Sequence, residues 1–163
     1  VEYHYVKTKR ADVKPIPQEN FKTIKRFMKW ITAANVWVFK KSKGRLWKTF
    51  PGGAEICVVG MKGAKSGQWR EVALIHLPEG DNAYLVASQG GMERNPVWYD
   101  NIAANPDITI MHGGTTRKMR ARQISDAEKA AAWPHLLSLY PDFDAYQART
   151  DRNIPVFLCE PCE

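Results

Sequence analysis

Gly60-Met61-Lys62-Gly63-Ala64-Lys65-Ser66-Gly67 joins two segments, 54–60 and 69–77, whose β-branched and aromatic residues predict strands. Its glycines allow the backbone to take positive φ, so that successive N–H groups can converge on one anion. Lys65, Ser66 and the following Arg70 add a cation, a hydroxyl and a planar set of donors. The stretch predicts either a phosphate cradle or a basic hairpin tip, and taken alone it does not choose between them.

The spacing differs from that of a Walker A loop, which places Lys-Ser directly after its last glycine and opens a helix. Here Ala64 separates Gly63 from Lys65, and a strand follows. A phosphate site between two strands argues against a P-loop NTPase.

Composition limits the class of protein. The chain has 163 residues, 44% of them apolar, which fits one domain with a real core. Its net charge of +7 favours an anionic partner: a polyanionic cofactor, nucleic acid or a membrane surface. Three cysteines give no disulfide framework, and the four histidines show no metal-ligand spacing, so no metal site is expected.

We predict an extended arm over residues 1–19 and a single domain over 20–163. The predicted strands are 54–60, 69–77, 82–88, 107–112, 115–124 and 154–159. The first predicted helix is 20–41, with Asn20 as N-cap, and the second runs from the Asn95-Pro96 start to 104. The third begins at the capping box 125–128 and should kink or split at Pro134. A short fourth helix runs from Pro141-Asp142 to about 149. Six short strands with interspersed helices predict a mainly β, α+β fold: an antiparallel barrel with helices packed outside.

The helix at 20–41 has two interpretations. Its apolar residues recur at helical spacing, and cations occupy the other side: Phe21, Ile24, Phe27, Met28, Ile31 and Ala34 against Lys22, Lys25, Arg26 and Lys29. Such a helix can lie on an anionic membrane. We favour packing of the apolar stripe on the barrel, because the apolar side of an amphipathic helix more commonly packs against the protein core.

Three further features are candidate pieces of a site. The paired glycines of 87–91 end a strand, where a flat ligand can approach the backbone, and the helix start at Asn95-Pro96 offers free N–H groups. Tyr140, Phe143 and Tyr146 form either an aromatic wall or part of the core. Alternation over 115–124 places Thr116, Lys118, Arg120 and Arg122 on one basic face, which is either solvated or, together with Arg117, a nucleic-acid surface.

The order and separation of these segments resemble the deazaflavin-dependent nitroreductase family of actinobacteria, from about residue 20 to the C-terminus. The matching segments are Gly63-Ala64-Lys65-Ser66-Gly67-Gln68-Trp69-Arg70, Ala87-Ser88-Gln89-Gly90-Gly91, Asn95-Pro96-Val97-Trp98-Tyr99, Trp133-Pro134, Leu139-Tyr140-Pro141, Tyr146-Gln147, Thr150-Asp151-Arg152-Asn153-Ile154-Pro155 and Cys159-Glu160-Pro161.

This resemblance implies a split β-barrel that binds coenzyme F420, a deazaflavin with a phosphodiester and a γ-glutamyl tail. By resemblance the phosphate and tail meet Ala64, Lys65, Ser66 and Arg70. The cofactor then lies along Glu71, Val72, Ala73, Leu74 and Ile75, and its ring is surrounded by Val86, Ala87, Ser88, Gln89, Val97, Trp98, Tyr99, Asp100 and Asn101. The substrate pocket would be lined by Ile75, Ser88, Tyr140, Phe143 and Tyr146, with Tyr146 and Ser88 as candidate proton donors.

We therefore expect an F420H2-dependent reductase that transfers a hydride to an apolar electrophile: an enone, an unsaturated lactone or a quinone. Nitro compounds are less favoured, because Ile75 and Phe143 stand where the nitroimidazole-activating member of the family carries tyrosines. The alternatives are an FMN- or haem-binding split barrel and a non-enzymatic nucleic-acid-binding module. A monomer or homodimer in the cytoplasm is expected, at the inner membrane face if 20–41 binds lipid.

Overall fold

The computed structural model describes residues 3–50 and 53–162, apart from the side chains of Gln18, Phe21, Met28 and Thr32. The predictions for the Phe21 and Met28 side chains therefore lie outside the described part. The elements, in chain order, are α1 Phe21–Lys41, β1 Ile56–Lys62, β2 Trp69–Ile75, β3 Leu77–Glu79, β4 Asn82–Val86, α2 Val97–Ala104, β5 Asp107–His112, β6 Thr115–Gln123, α3 Asp126–Leu139, α4 Asp142–Arg149 and β7 Val156–Pro161.

The described strands form one antiparallel sheet in the order β2-β1-β5-β6-β7-β4-β3. The two edge strands, β2 and β3, are consecutive in the chain and only His76 lies between them. The sheet must curl to bring its edges so close, and its edge strands β2 and β3 are not paired with each other. The predicted α+β split-barrel fold with flanking helices is confirmed.

The strand predicted over 69–77 breaks at His76, so the sheet has seven described strands instead of six. The His76 N–H donates to Glu55 O at 2.8 Å, whereas Leu77 pairs with Tyr84 at the other edge. The composition of 69–77 could not reveal this break, because both halves are rich in strand-forming residues. Pro78 lies in the short edge strand β3, where a missing N–H is tolerated.

A first core cluster fills the inside of the curled sheet. Alternate residues of each strand point inward, as Cys57, Val59 and Met61 do on β1. Trp98 and Ile102 of α2 close the cluster from one end. The other members are Ala83, Leu85, Ala87, Ile108, Ile110, Met119, Ala121, Phe157 and Cys159.

A second core cluster lies between the outer face of the sheet and the helices α3 and α4. Its buried members are Leu77, Tyr84, Ile124, Trp133, Leu136, Tyr140, Phe143 and Val156. The predicted capping box begins α3: Glu128 N–H donates to Ser125 Oγ at 3.3 Å, and Ser125 N–H donates to Glu128 Oε2 at 2.8 Å. Of the two outcomes predicted at Pro134, the split is wrong, since α3 runs through that residue to Leu139, and the kink stays a prediction.

Asn20 is the N-cap residue of α1, as predicted, but it has helical φ and ψ and its side chain makes no capping hydrogen bond. The predicted Asn95-Pro96 start of α2 is one residue off, because the cap is Pro96 in an extended conformation. Asn95 Oδ1 instead accepts from Arg152 Nη1 at 2.8 Å. A tertiary contact has therefore replaced the local role that asparagine favours at a helix start.

The N-terminal segment lies against α3 and α4. The Asp144 carboxylate accepts from the backbone N–H of Lys7 at 3.0 Å and of Thr8 at 2.7 Å. The ring of Tyr5 meets that of Trp133 edge-on, with centroids 5.3 Å apart. These contacts fasten the arm to the helices that carry part of the predicted substrate pocket.

We predicted that the apolar stripe of the helix at 20–41 packs on the barrel. For most of α1 this prediction is wrong. Phe39 near its end is buried, and Lys40 Nζ pairs with Glu71 of β2 at 2.9 Å. Phe27 and Ile31, two turns or more earlier, are exposed. No described helix combines the length and the apolar character needed to cross a bilayer.

Candidate active site

The loop between β1 and β2, residues 63–68, is named here the cradle loop. Two backbone bonds close it: Gly63 N–H donates to Gln68 O at 2.8 Å, and Gly67 N–H donates to Gly63 O at 2.9 Å. Gly67 has φ +65°, and a Cβ on Gly63 would stand 2.6 Å from Ser66 Oγ. The two glycines thus permit a tight turn that larger residues would open.

The cradle loop offers donors without partners among the described residues. The N–H groups of Lys65 and Ser66 make no hydrogen bond there. The side chains of Lys65 and Arg70 are exposed and form no ion pair with a described carboxylate; Arg70 reaches only Gln68 Oε1, at 3.3 Å. Free amides beside unpaired cations fit a phosphate group.

A hydrogen bond joins the cradle loop to α2. Ala64 N–H donates to Asn101 Oδ1 at 2.9 Å. On the same helix Val97 and Asp100 are exposed, whereas Trp98 is buried in the first core cluster and Tyr99 Oη donates to Gln123 Oε1. A ligand could therefore meet Trp98 only through its backbone.

Strand β2 presents only alternate residues to a ligand on its outer face. Val72 and Leu74 pack on the first core cluster and Ile75 packs on the second. Glu71 is held by Lys40 of α1. Ala73 and Ile75, on the face opposite Val72 and Leu74, therefore remain as the apolar side chains available along this strand.

The turn at residues 88–91, named here the ring-side turn, packs against α4. Gln89, Gly90 and Gly91 all have positive φ. A Cβ on Gly91 would lie 2.5 Å from Tyr146 O, so glycine is required for this close approach. The ring-side turn, which begins at Ser88, thereby packs directly against the α4 residue Tyr146 through Gly91.

Arg152 holds the ring-side turn and is the main site residue that the sequence did not assign. Its guanidinium donates to four acceptors: Met92 O at 2.7 Å, Asn95 Oδ1 at 2.8 Å, Ala87 O at 3.0 Å and Ser88 O at 2.7 Å. Burial lowers the pKa of Arg152 to about 10, so it stays charged at neutral pH. Arg152 lies in the Thr150–Pro155 segment that resembles the family, but the resemblance assigned no function to this residue.

Tyr140, Phe143 and Tyr146, named here the aromatic wall, contact one another, and Tyr140 and Phe143 are buried in the second core cluster, as the core alternative expects. The rings of Tyr140 and Phe143 meet edge-on at 4.8 Å, and Phe143 and Tyr146 at 6.4 Å. All three belong to or pack on the second core cluster, together with Ile75 and Val86. The structure therefore brings four of the five predicted pocket residues into one cluster, with Ser88 on the adjoining turn.

The two tyrosine hydroxyls of the wall are hydrogen-bonded at 3.1 Å. Burial first, and the bond to Tyr146 second, raise the pKa of Tyr140 above its ordinary value. Tyr140 is therefore protonated at any physiological pH. Either hydroxyl can be the donor of this bond, and when Tyr140 donates it, the hydroxyl proton of Tyr146 can be directed to another acceptor.

The basic face of β6 is largely paired with acids. Arg120 pairs with Asp107 at 2.9 Å and Arg122 with Glu128 at 3.0 Å. Arg117 lies 3.8 Å from Asp81. These pairs reduce the positive field that a nucleic acid would need.

The comparisons with known proteins agree with the predicted family. The sequence profile of the family described as F420H(2)-dependent quinone reductase matches residues 31–161. An F420H(2)-dependent quinone reductase of Mycobacterium tuberculosis is 33% identical over 124 residues, 74% of this chain and 83% of that protein. A solved structure described as an F420-H2 dependent reductase, FDR-A, is 37% identical with a TM-score of 0.61, and the match covers 64% of this chain and 93% of that one. Another, described as a domain-swapped dimer, is 32% identical with a TM-score of 0.61 over 78% of this chain and 99% of that one.

Proposed function

The chain belongs to the F420H(2)-dependent quinone reductase family, and we propose that it reduces quinones where the cradle loop, the ring-side turn and the aromatic wall border a bound cofactor. As a member it is an F420-dependent oxidoreductase. The FMN- and haem-binding alternatives lose their support, because the matching family and relatives are described by F420.

The proposed location of the cofactor is based mainly on one hydrogen bond. The bond from Ala64 to Asn101 joins the loop that suits a phosphate to the helix expected beside the ring. Lys65, Arg70 and the free amides of the cradle loop would hold the phosphodiester and the acidic tail. The outer face of β2 would then guide the cofactor toward Ile75 and the ring-side turn.

The chain's own residues would supply positioning and proton control. When bound, reduced F420 supplies a hydride. Ile75 and Tyr146, which are both partly exposed, would border a flat acceptor, and the buried rings of Tyr140 and Phe143 would hold Tyr146 in place. Arg152 would keep the ring-side turn, and with it Ser88, at a fixed distance from the aromatic wall.

Tyr146 is the proposed donor to the acceptor's carbonyl oxygen. It is half-buried, whereas Tyr140 is fully buried, so the free proton of the pair is best presented from the Tyr146 hydroxyl. A donor there stabilises the oxyanion that develops as a quinone accepts a hydride. Ser88 is a second candidate donor from the ring-side turn.

Other acceptors can be proposed from the same hydride transfer to a conjugated carbonyl compound. Enones and unsaturated lactones share with quinones a carbonyl conjugated to an electrophilic carbon, so they are proposed as secondary acceptors. Nitro compounds are proposed to be poor ones, because Ile75 and Phe143 add no hydroxyl to the pocket.

A fluorescence titration with oxidised F420, with FMN in parallel, tests the cofactor. Lys65→Ala and Arg70→Ala should each weaken F420 binding about tenfold or more, because each removes a charge-assisted contact to phosphate. Lys118→Ala, at an exposed lysine of β6, is the matched control and should bind as the unchanged chain does. Equal affinity in all three variants would refute the cradle.

Steady-state reduction of a short-chain quinone tests the donors. Tyr146→Phe should lower kcat/KM by about 10²-fold while leaving F420 affinity unchanged. Tyr84→Phe removes a hydroxyl from the same cluster, outside the proposed pocket, and should keep full activity. The assignment is wrong if Tyr146→Phe and Ser88→Ala both leave kcat/KM unchanged.

Monomer and homodimer are the two proposed assemblies. The 32%-identical chain described as a domain-swapped dimer favours the homodimer. Light scattering on the purified chain, with and without F420, measures which assembly exists in solution.

A further inference from the structure

Arg149, the last residue of α4, contacts both the proposed donor Tyr146 and the ring-side turn. Its guanidinium carbon lies 5.6 Å from the centroid of the Tyr146 ring, at the separation of a cation–π contact. Its Nη1 donates to Gly90 O at 2.5 Å. One side chain therefore joins the ring that carries the donor hydroxyl to the turn that the cofactor is expected to meet.

The Arg149 guanidinium is sheltered but has few partners. The side chain is half-buried, and its Nε is shielded from solvent without a hydrogen-bond acceptor in the described part of the chain. No carboxylate among the described residues forms an ion pair with it. Arg152 by contrast donates to four acceptors. A sheltered cation with one oxygen acceptor costs free energy, and proteins keep such local conflicts mainly at functional sites.

A purely structural explanation accounts for only part of this arrangement. A cation in the last turn of a helix interacts favourably with the helix dipole, but a fully exposed side chain would serve that purpose equally well. The ring-side turn is instead fitted to both α4 residues: a Cβ on Gly91 would lie 2.5 Å from Tyr146 O and 3.1 Å from Arg149 Cβ. The position of Arg149 against the Tyr146 ring therefore needs another reason.

We propose that Arg149 is a positioning residue for Tyr146, which fixes the Tyr146 ring and strengthens its hydroxyl as a donor. The rings of Tyr140 and Phe143 lie against the same ring, with centroids at 6.1 Å and 6.4 Å, and Arg149 adds a cation over its face. A cation over the face of a phenol draws electron density from the ring, so the O–H group donates more strongly. The part of the proposal that concerns the reaction rests on the proposed function, whereas the fixing of the ring does not.

The charge of Arg149 suits the reduction of a quinone. A quinone that has accepted a hydride carries a negative charge on oxygen, and one proton from the Tyr146 hydroxyl completes the hydroquinone. Water then returns a proton to Tyr146. A fixed cation next to the donor ring stabilises the negative charge on the acceptor before this transfer and on the tyrosine oxygen after it.

Nuclear magnetic resonance of the chain without cofactor tests the positioning. Nuclear Overhauser contacts should join the Tyr146 ring to the Arg149 side chain. Arg149→Met, which removes the cation and keeps an unbranched side chain, should weaken the contacts from the Tyr146 ring to the Tyr140 and Phe143 rings. Arg120→Met, at an exposed arginine of β6, is the matched control and should leave them unchanged. Absence of the contact between Tyr146 and Arg149, or full-strength ring contacts in Arg149→Met, overturns the proposal whether or not the protein reduces quinones.

Steady-state reduction of a short-chain quinone with saturating F420H2 tests the effect on the reaction. Arg149→Met should lower kcat about tenfold or more, whereas Arg149→Lys, which keeps the charge, should lower it less than about threefold. In a Tyr146→Phe background Arg149→Met should change kcat less than about twofold, because the donor through which Arg149 acts is already missing.

The double-variant comparison separates positioning from general support of the fold. Equal losses from Arg149→Met in both backgrounds would show that Arg149 acts independently of the Tyr146 hydroxyl, and no loss in either would show that it does not affect the reaction; each result overturns the proposal. If the unchanged chain reduces no quinone with F420H2, the proposed function is refuted, and the Overhauser contacts still decide whether Arg149 fixes the Tyr146 ring.

Discussion

Replacing Arg152 by lysine tests how the ring-side turn is held in place. The guanidinium serves four acceptors at 2.7–3.0 Å, and three of these are backbone carbonyls. A lysine ammonium is a single point and can reach about two of the four, because the guanidinium nitrogens point in separate directions. Each lost charge-assisted bond costs at least about 1.5 kcal/mol. We therefore expect Arg152→Lys to lower the free energy of unfolding by about 3 kcal/mol.

Urea denaturation followed by tryptophan fluorescence measures this loss. Arg122→Lys is the matched control, because Arg122 pairs with Glu128 at an exposed site and the change should cost less than about 1 kcal/mol. In addition, Arg152→Lys should raise the F420 dissociation constant, whereas the control should not. A loss for Arg152→Lys no larger than that of the control would refute the role given to this network.

Two further changes test packing and charge in the same region. Gly91→Ala would place a Cβ 2.5 Å from Tyr146 O. Gly90 also has a positive φ, +65°, but a Cβ there would have no neighbour within 4 Å. In urea denaturation Gly91→Ala should therefore lower the free energy of unfolding by about 2 kcal/mol more than Gly90→Ala does, and equal losses would mean that only the positive φ matters. Burial lowers the pKa of Lys129 to about 7, well below its value in the unfolded chain, so between pH 7 and 9 the unfolded state binds more protons and this residue makes stability rise with pH. Lys129→Met should remove that part of the rise, and an unchanged pH profile of urea midpoints would show that Lys129 titrates normally.

Local signals predicted much of the fold. Runs of strand-forming residues located the described strands within a few positions, except that β3 was merged with β2, and Ser125 and Glu128 began α3 as a capping box should. The order of strands in the sheet could not come from such signals. His76, which ends β2 by bonding to Glu55, separates two segments of equal strand propensity, and only the closing of the sheet distinguishes them.

In the candidate site, too, some residues could be predicted from the sequence and others could not. The sequence marked Lys65, Ser66 and Arg70 as part of either a phosphate cradle or a basic hairpin tip, because they surround a glycine-rich turn. Arg152 was not, because a single arginine in a loop gives no indication of the four oxygens that surround it in the fold. The exposure of α1 was also missed: an amphipathic pattern shows which face is apolar, but not what covers that face.

The sequence by itself determined the type of most elements, the glycine-rich, basic character of the β1–β2 loop and the family, since these depend on residue types at short spacing. Only the tertiary structure decided which elements meet. It joined Ala64 to Asn101, set the aromatic wall against the ring-side turn and left Trp30 and Trp37 in the open. The reason is physical: backbone preference and hydrophobic periodicity act over a few residues, whereas burial and hydrogen-bond pairing are settled among segments distant in the chain.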